Sequence, residues 1–524
     1  MPRIPRLLCR TLAVLLIGSA VPLWAATPPL WFEDGHPTTM AQEAVAILAA
    51  AADEGLEPRD YDAAALSQAL DGARQGPAPS PQAQSRLDDA LTSALLRYLS
   101  DRQTGRIDPR QIHARFHVPR GTPAATVEFL RTAVAEHRLA DAVKQTAPQL
   151  PMYDGLRRAL ARYRQLTDHP AWQSPLPPPP GRKLEEGQAY DGLAQLTQRL
   201  QAVGDLAPET PLPPLFQEPL VSALKRFQER HGLAVDGILG RATLEQLNVK
   251  PARRVRQIEL ALERLRWTPY LQAPRMIVVN VPEFMLRAYE VHDGRVAVKL
   301  AMKVIVGKTL DTRTPLFGEA MRFIEFSPYW NVPSSIAEKE LIPRLQRDPA
   351  YFEQQGFEFV TDSAQVVTTL APEHLEAVQA GRWRIRQRPG PLNPLGDIKF
   401  VFPNNDQIYL HHTPETQLFA RERRDFSHGC IRVEAPLALA RFVLQDQPDW
   451  TEERIQAAMA KGESSTLRLQ TPLPVLIAYS TVIVQNGHVS FYPDIYGHDR
   501  LLDQALRRHS AAHLKQAAAL SGAK

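Results

Sequence analysis

The residues best equipped for chemistry lie in HHTPETQLFARERRDFSHGCIR, positions 411–432. Cys430 is one of two cysteines in 524 residues, and the other, Cys9, falls in an N-terminal segment that has the features of a cleaved export signal. A chain left with one thiol cannot close an intramolecular disulfide, so Cys430 is a buried filler, an intermolecular link or a nucleophile. A thiol that attacks a carbonyl needs a base or a positive field to become thiolate near neutral pH. It also needs backbone N–H groups to hold the oxyanion that forms. His428, His411 and His412 stand 2, 19 and 18 positions upstream, and Gly429 lets the chain turn sharply and expose amides. Ile408, Tyr409 and Leu410 alternate as a strand, so His411 shares a face with Tyr409 while His412 takes the other. Sequence proximity by itself leaves a buried cysteine flanked by surface histidines open. A metal site made of His411, His412, His428 and Cys430 is disfavoured, because adjacent histidines rarely reach one ion and SHGC lacks a usual ligand spacing. Neither a metal nor a cofactor is expected, since a thiolate and backbone amides supply the chemistry.

The whole pattern, IYLHHTP followed by SHGCIRV, resembles the signature of the YkuD-type L,D-transpeptidases: a histidine after a short strand, then Ser or Thr, His, Gly, Cys, and Asn or Arg two positions on. The resemblance implies Cys430 as acyl-enzyme nucleophile, His411 as its base, and Ser427, His428, Gly429 and Arg432 as residues that shape the loop and its oxyanion donors. It departs from the family pattern at His412, where Gly, Ser or Asp is frequent. TRTPLF at 312–317 and FSPYWNVPSSI at 326–336 resemble the strand and loop lining the family's substrate cleft, which nominates Tyr329, Trp330 and Asn331, with Tyr409 and His412, as cleft residues.

These residues need elements to carry them. After about residue 275 the apolar period shifts from 3.6 to 2, which predicts antiparallel strands, with Asn486-Gly487 as a two-residue hairpin turn. Residues 339–382 read as helical and resemble an insertion that caps the active site in large family members. Upstream the pattern is helical: 40–52 closed by Gly55, 87–99, 124–144 and 155–166, with Thr39 and Gln42 as a capping box. GLEPRDY (55–61) and TGRIDPRQI (104–112) resemble the N-terminal scaffold of the large multi-domain, YcbB-like enzymes of Gram-negative bacteria. SPLPPPPG at 174–181 predicts a stiff, extended hinge. LKRFQERHGLAVDGILGRATLEQL resembles the three-helix type 1 peptidoglycan-binding domain, although the Pro-rich stretch 204–219 departs from its short connection.

The expectation is a multi-domain α+β protein. It comprises a signal peptide (1–25), a helical scaffold domain (27–173), a Pro-rich linker (174–189), a peptidoglycan-binding type 1-like domain (190–250), a mainly-β catalytic domain (274–480, with a capping insertion at 338–385), and a C-terminal hairpin and tail (481–524). Arg3, Arg6 and Arg10, the apolar run 11–21 and small residues at 25–26 form the signal, which directs the chain to the periplasm. Cleavage removes three arginines and no acids from a formal net charge of +4, so the mature chain is near neutral and nothing calls for nucleic acid. Apolar content of 44 % is ordinary, and 46 prolines point to linkers and long loops. The resemblance implies peptidoglycan stem peptides as donor and acceptor, carbapenems as covalent inhibitors, and periplasmic cell-wall synthases as partners. The expected activity is 3→3 cross-linking through a cysteinyl acyl-enzyme. The alternatives are another acceptor (a lipoprotein or a D-amino acid), L,D-carboxypeptidase action, or a non-catalytic peptidoglycan-binding protein; degenerate members of that last class usually lack the cysteine.

Overall fold

Helices dominate the first half of the chain because its apolar residues recur at helical spacing. The computed structural model describes residues 29–114, 116, 125–268, 273–293, 295–310 and 312–521, so the expected signal segment, with Cys9, lies outside the described residues. Helices α1 (Thr39–Ala49), α2 (Ala63–Gln75), α3 (Pro81–Thr104), α4 (Val127–Ala135) and α5 (Leu139–Gln145) bury Leu48, Leu66, Leu95, Leu130 and Leu139 in one core. A short hairpin, β1 (Phe32–Glu33) with β2 (His36–Pro37), adjoins it. The cap of α1 is Thr38, one residue before the expected Thr39; its hydroxyl accepts from the Ala41 N–H. The helix expected over 124–144 is broken at His137, which sits at φ +53°.

Helix α6 (Pro151–Gln165) belongs to a different core from the helices before it. Tyr153, Leu156 and Leu160 pack on Ile258, Leu262 and Leu265 of α10 (Pro251–Arg266) and on the hairpin β16 (Val482–Gln485)/β17 (His488–Phe491). The TGRI segment is bolted to α10. Gly105 at φ +81° lets the chain pass so close to Glu263 and Trp267 that an added Cβ would lie 2.8 Å from each. The fully buried Glu263 carboxylate then accepts the N–H groups of Arg106 (2.6 Å) and Ile107 (3.1 Å).

The Pro-rich segment is not a free hinge. Leu176 and Leu184 are buried in the core of the next module, and Leu184 makes a β-bridge with Leu239. Asn248 accepts the Leu176 N–H, and Arg199 donates to the Ser174 carbonyl. Proline stiffness therefore serves to lay this stretch along a neighbour. That module contains α7 (Leu193–Ala202), α8 (Leu220–Glu229) and α9 (Arg241–Leu247). The buried Gln228 amide ties its turn together, donating to Asp236, Ile238 and Thr243 and accepting from Gly237. The unusual 204–219 connection folds back onto the module, with Leu206 and Phe216 buried. The His231 ring stacks on Phe227 (3.8 Å) and on Phe491 of the hairpin (5.7 Å), while Arg230 pairs with Asp205 and donates to the Val489 carbonyl.

The remaining strands are β3 (Arg275–Asn280), β4 (Met285–His292), β5 (Arg295–Gly307), β6 (Phe317–Phe326), β7 (Trp330–Asn331), β8 (Phe357–Val360), β9 (Val366–Val367), β10 (Arg384–Gln387), β11 (Ile398–Val401), β12 (Leu410–His411), β13 (Asp425–Ser427), β14 (Ile431–Val433) and β15 (Ser465–Ala478). Neighbours run β5-β14-β12-β11-β6-β15-β3-β4, and β4 pairs again with β5, so the sheet closes on itself; β13 adds to β5. Closure leaves that ring without an open edge. Its interior holds Ile277, Val279, Val304, Ile324, Phe400, Leu410 and Ile431. The turn at Asn486-Gly487 has both residues at positive φ, as a tight two-residue hairpin requires.

The insertion is mixed rather than helical. Helical segments at Ser334–Ile336, Ile342–Arg347 and Pro372–Gln379 pack on a separate sheet of order β7-β10-β8-β9. All four residues of β8, FEFV, are buried, and a short run buried on both faces cannot be told from a helix by periodicity. Trp330 and Asn331 form an edge strand of this small sheet.

Candidate active site

Strand register builds the site. β12 runs parallel to β14 with Leu410 opposite Ile431 and His411 opposite Arg432, and the Ile431 N–H donates to the Tyr409 carbonyl at 3.0 Å. Leu410 and Ile431 enter the core, so period-2 alternation places Tyr409, His411, Cys430 and Arg432 together on the other face. The row continues sideways: Lys399 of β11 lies opposite His411, and Glu325 of β6 lies opposite Lys399, with which it pairs at 3.0 Å. The Lys399 ammonium sits 4.3 Å from the Tyr409 ring centre, and the Tyr409 and His411 rings meet edge-on at 5.7 Å. Lys399 and Glu325 carried no sequence signal, because only cross-strand pairing between distant segments brings them here.

His411 is buried, and its Nδ1–H donates to the His412 carbonyl at 2.5 Å. That bond fixes the tautomer and leaves Nε2 with its lone pair. Burial first, and the Arg432 guanidinium second, hold the imidazole down to about 3, so it is neutral at physiological pH. Cys430 is a free thiol, half-buried; burial pushes its pKa up, which hydrogen bonding to Tyr409 only partly offsets. The resting thiol faces the Gln407 carbonyl at 3.6 Å, and among the described residues no hydrogen bond joins it to His411. Loose pairing of nucleophile and base is common before substrate binds.

The nucleophile loop is held from both sides. The Ser427 hydroxyl donates to the Cys430 carbonyl (2.6 Å) and accepts the Gly429 N–H (3.2 Å). The Gly429 amide is thereby occupied, whereas the neighbouring Cys430 N–H has no partner among the described residues and is free to hold an oxyanion. Gly429 adopts φ +118°, which requires glycine. Thr314 donates to the Gly429 carbonyl (2.8 Å) and accepts the Gly307 N–H (2.9 Å), Thr312 donates to the Ser427 carbonyl, and Tyr496 donates to the Gly307 carbonyl (2.6 Å). TRTPLF thus clamps the loop, a role its sequence did not disclose.

The other nominated side chains bind partners outside the row, Arg432 doing so from within the shared face. His412 faces away and binds Asp397 through Nδ1 at 2.7 Å. His428 reaches Glu340 of the insertion at 2.8 Å. Arg432 pairs with Glu415. Tyr329 lies under the Arg386 guanidinium, within the insertion's sheet. Among the described residues no group of three or more His, Cys, Asp or Glu converges as a metal site.

Comparison with known proteins bears on this arrangement. Residues 274–502 match the L,D-transpeptidase catalytic domain (YkuD), residues 190–247 the "Putative peptidoglycan binding domain", and residues 25–160 the "Scaffold domain". A curated relative from Haemophilus influenzae, "Putative L,D-transpeptidase", is 31% identical over 278 residues, 52% of this chain and 55% of the relative. The chain thus matches about half the length of that relative. Among solved structures, a fused Zn-dependent amidase/peptidase/peptidoglycan-binding domain-containing protein from Clostridium acetobutylicum is 11% identical, covers 57% of this chain and 99% of its own, and has a TM-score of 0.16. Bd1075 of Bdellovibrio bacteriovorus is 14% identical, covers 45% and 56%, and has a TM-score of 0.17. At those scores neither likeness bears on the fold.

Proposed function

We propose that the chain forms 3→3 cross-links between peptidoglycan stem peptides, a reading supported by the match of residues 274–502 to the L,D-transpeptidase catalytic domain and of the residues ahead of it to scaffold and peptidoglycan-binding domains. The observation that carries this reading is the β12–β14 register, which puts His411 and Cys430 on one face of one sheet. His411 Nε2 takes the thiol proton as Cys430 Sγ attacks the carbonyl between the third residue, an L-centre, and the fourth, D-Ala. The Cys430 N–H holds the oxyanion, His411 returns the proton to the departing D-Ala amine, and a thioester remains. An amine of a neighbouring stem then attacks the thioester, His411 accepts its proton, and the thiol is regenerated. The nucleophile loop lies beside the insertion, where His428 meets Glu340, which suits a large polymeric substrate better than a small acceptor. The reaction takes place in the periplasm, after export directed by the N-terminal segment. Cell-wall synthases working on the same strands are its expected neighbours there.

Incubating the purified mature protein with isolated sacculi, followed by digestion and mass analysis of the fragments, tests the reading. The expected product is the 3→3 dimer, absent with Cys430→Ala. Shortened monomers alone would instead select carboxypeptidase action. Transfer only to a lipoprotein or a free D-amino acid would move the acceptor. A β-lactam presents a strained carbonyl to the same sulfur, so intact-mass analysis should find one carbapenem adduct on the wild type and none on Cys430→Ala.

A further inference from the structure

Two charged residues stand in the row with the dyad yet take no part in the proposed proton transfers. Lys399 of β11 lies opposite His411, and Glu325 of β6 lies opposite Lys399, the ion pair closing at 3.0 Å. Beyond Glu325 the row continues to Thr466 of β15, which carries no charge. The pair is therefore a dipole laid across β11 and β6, its positive end toward β12 and its negative end away. Its side chains are 16% and 28% exposed, so its field is screened less than that of fully solvated charges.

The Lys399 side chain leans past His411 toward the thiol. Its Nζ lies 4.3 Å from the Tyr409 ring centre, the β12–β14 register sets Tyr409 beside Cys430, and the Tyr409 hydroxyl hydrogen-bonds the thiol. The other charged or titratable groups around Cys430, among the described residues, are placed differently. On its own strand Arg432 is paired with Glu415, in its loop His428 binds Glu340, and on β12 His411 is neutral while His412 binds Asp397. The loop whose Gln407 carbonyl meets the thiol also carries Asp406. Of the two cations that favour the Cys430 anion, Lys399 stands ahead of Arg432; for His411 the order reverses. Arg432 thus bears mainly on the imidazole and Lys399 mainly on the sulfur. A sulfur whose anion is favoured is more often in its attacking form, and it leaves a thioester faster.

We propose that Lys399 and Glu325 are a positioning pair for the reaction: Lys399 turns the positive end of the dipole on the Tyr409–Cys430 corner and favours the thiolate, and Glu325, one strand further out, moderates it. The inference rests on Cys430 being the nucleophile, as in the reaction proposed above, but its test reads the thiol directly and needs no peptidoglycan.

The test is the rate at which iodoacetamide alkylates Cys430 in the purified mature chain, followed by intact mass at several pH values below the thiol's pKa, where the rate tracks the thiolate fraction. Lys399→Met should slow labelling by about threefold or more, the loss of about half a pH unit of field, and Glu325→Gln, which leaves the lysine unopposed, should speed it by a similar factor. Lys399→Arg keeps the charge and should stay within about twofold of the wild type. Loosened packing would not move labelling in opposite directions from the two ends of one ion pair. Should Lys399→Met fail to fold, Glu325→Gln, a near-isosteric change at a partly exposed side chain, decides alone. Slower or unchanged labelling of Glu325→Gln would overturn the proposal, and so would a loss in Lys399→Arg as large as that in Lys399→Met. Those results would leave the sacculus assay untouched, whereas a wild type that makes no 3→3 dimers would remove the cross-linking reading and leave the labelling series to stand by itself.

Discussion

Burial and the Arg432 guanidinium hold His411 down to about 3 while burial lifts the Cys430 thiol, so the resting dyad is an uncharged thiol beside a neutral base. Acylation should then not lose its base as pH falls through the ordinary imidazole range. The acid limb of acylation by a slow β-lactam is expected to stay flat from pH 7 to 5 and to fall only as pH approaches about 3. A limb centred near 6.5, the ordinary histidine value, would mean that His411 is not the base. His411→Ala should cost ~10²–10⁴-fold at neutral pH, His412→Ala far less because it braces Asp397, and His428→Ala an intermediate amount. If His412→Ala were the dead variant, the facing argument would fail. Thr314→Val leaves the Gly307 N–H and the Gly429 carbonyl unpaired in a buried clamp. It should cost about 1–3 kcal/mol of stability and slow acylation, read by urea midpoint and mass-detected adduct together. Cys430 and His411 were legible in the sequence because a motif carries them within 19 positions of each other. Thr314, Tyr496, Lys399 and Glu325 were not, because hydrogen bonds and cross-strand register recruit them from segments far apart in the chain.

At the scale of elements, the insertion and the nucleophile loop meet through His428 and Glu340, the latter on the short π-helical turn Ala337–Leu341. Both side chains are partly solvated, and such pairs contribute roughly 0–1 kcal/mol. Glu340→Ala should therefore leave the melting temperature almost unmoved. The same change frees the loop's only described tie to the insertion through His428, so the KM for a stem-peptide acceptor is expected to shift while kcat for β-lactam acylation holds. A fall in both would assign Glu340 to loop stability instead. Alternation revealed the ring strands and the hairpin turn, where one face is buried and the other is not. It failed for Phe357–Val360, buried on both faces, and for the proline segment 174–189, whose leucines fill a neighbour's core where composition suggested a spacer.

At the scale of the whole molecule, burial keeps four histidines neutral among the described residues, His113 being only partly buried. Burial puts His411 at about 3, His113 at about 4, His498 at about 2 and His231 well below its ordinary value. Each has a folded pKa below its unfolded value of about 6.5, so the unfolded chain binds the extra protons. Their contribution to stability is complete above that value and is lost as pH falls below it. Asp101, lifted by burial to about 6, acts in the opposite sense and offsets part of this. The urea midpoint should decline from pH 7 to pH 5. His231→Phe should lower the unfolding free energy by about 1 kcal/mol at pH 7, for one lost hydrogen bond, and make the decline shallower; an unchanged slope would remove His231 from the account. The closed sheet also sets an order of assembly. β3 pairs in parallel with β15, and Asn280 is bound to Ser480 across 200 positions, so the ring has no closing partner until nearly the whole chain is available. The insertion, with its own core, carries no such debt to distant sequence. A chain that emerges N-terminus first therefore completes its insertion before its catalytic ring, and Cys430 waits unfolded meanwhile. Hydrogen exchange on a chain truncated at residue 460 should show protection in β8 and β10 and none in β3 or β6.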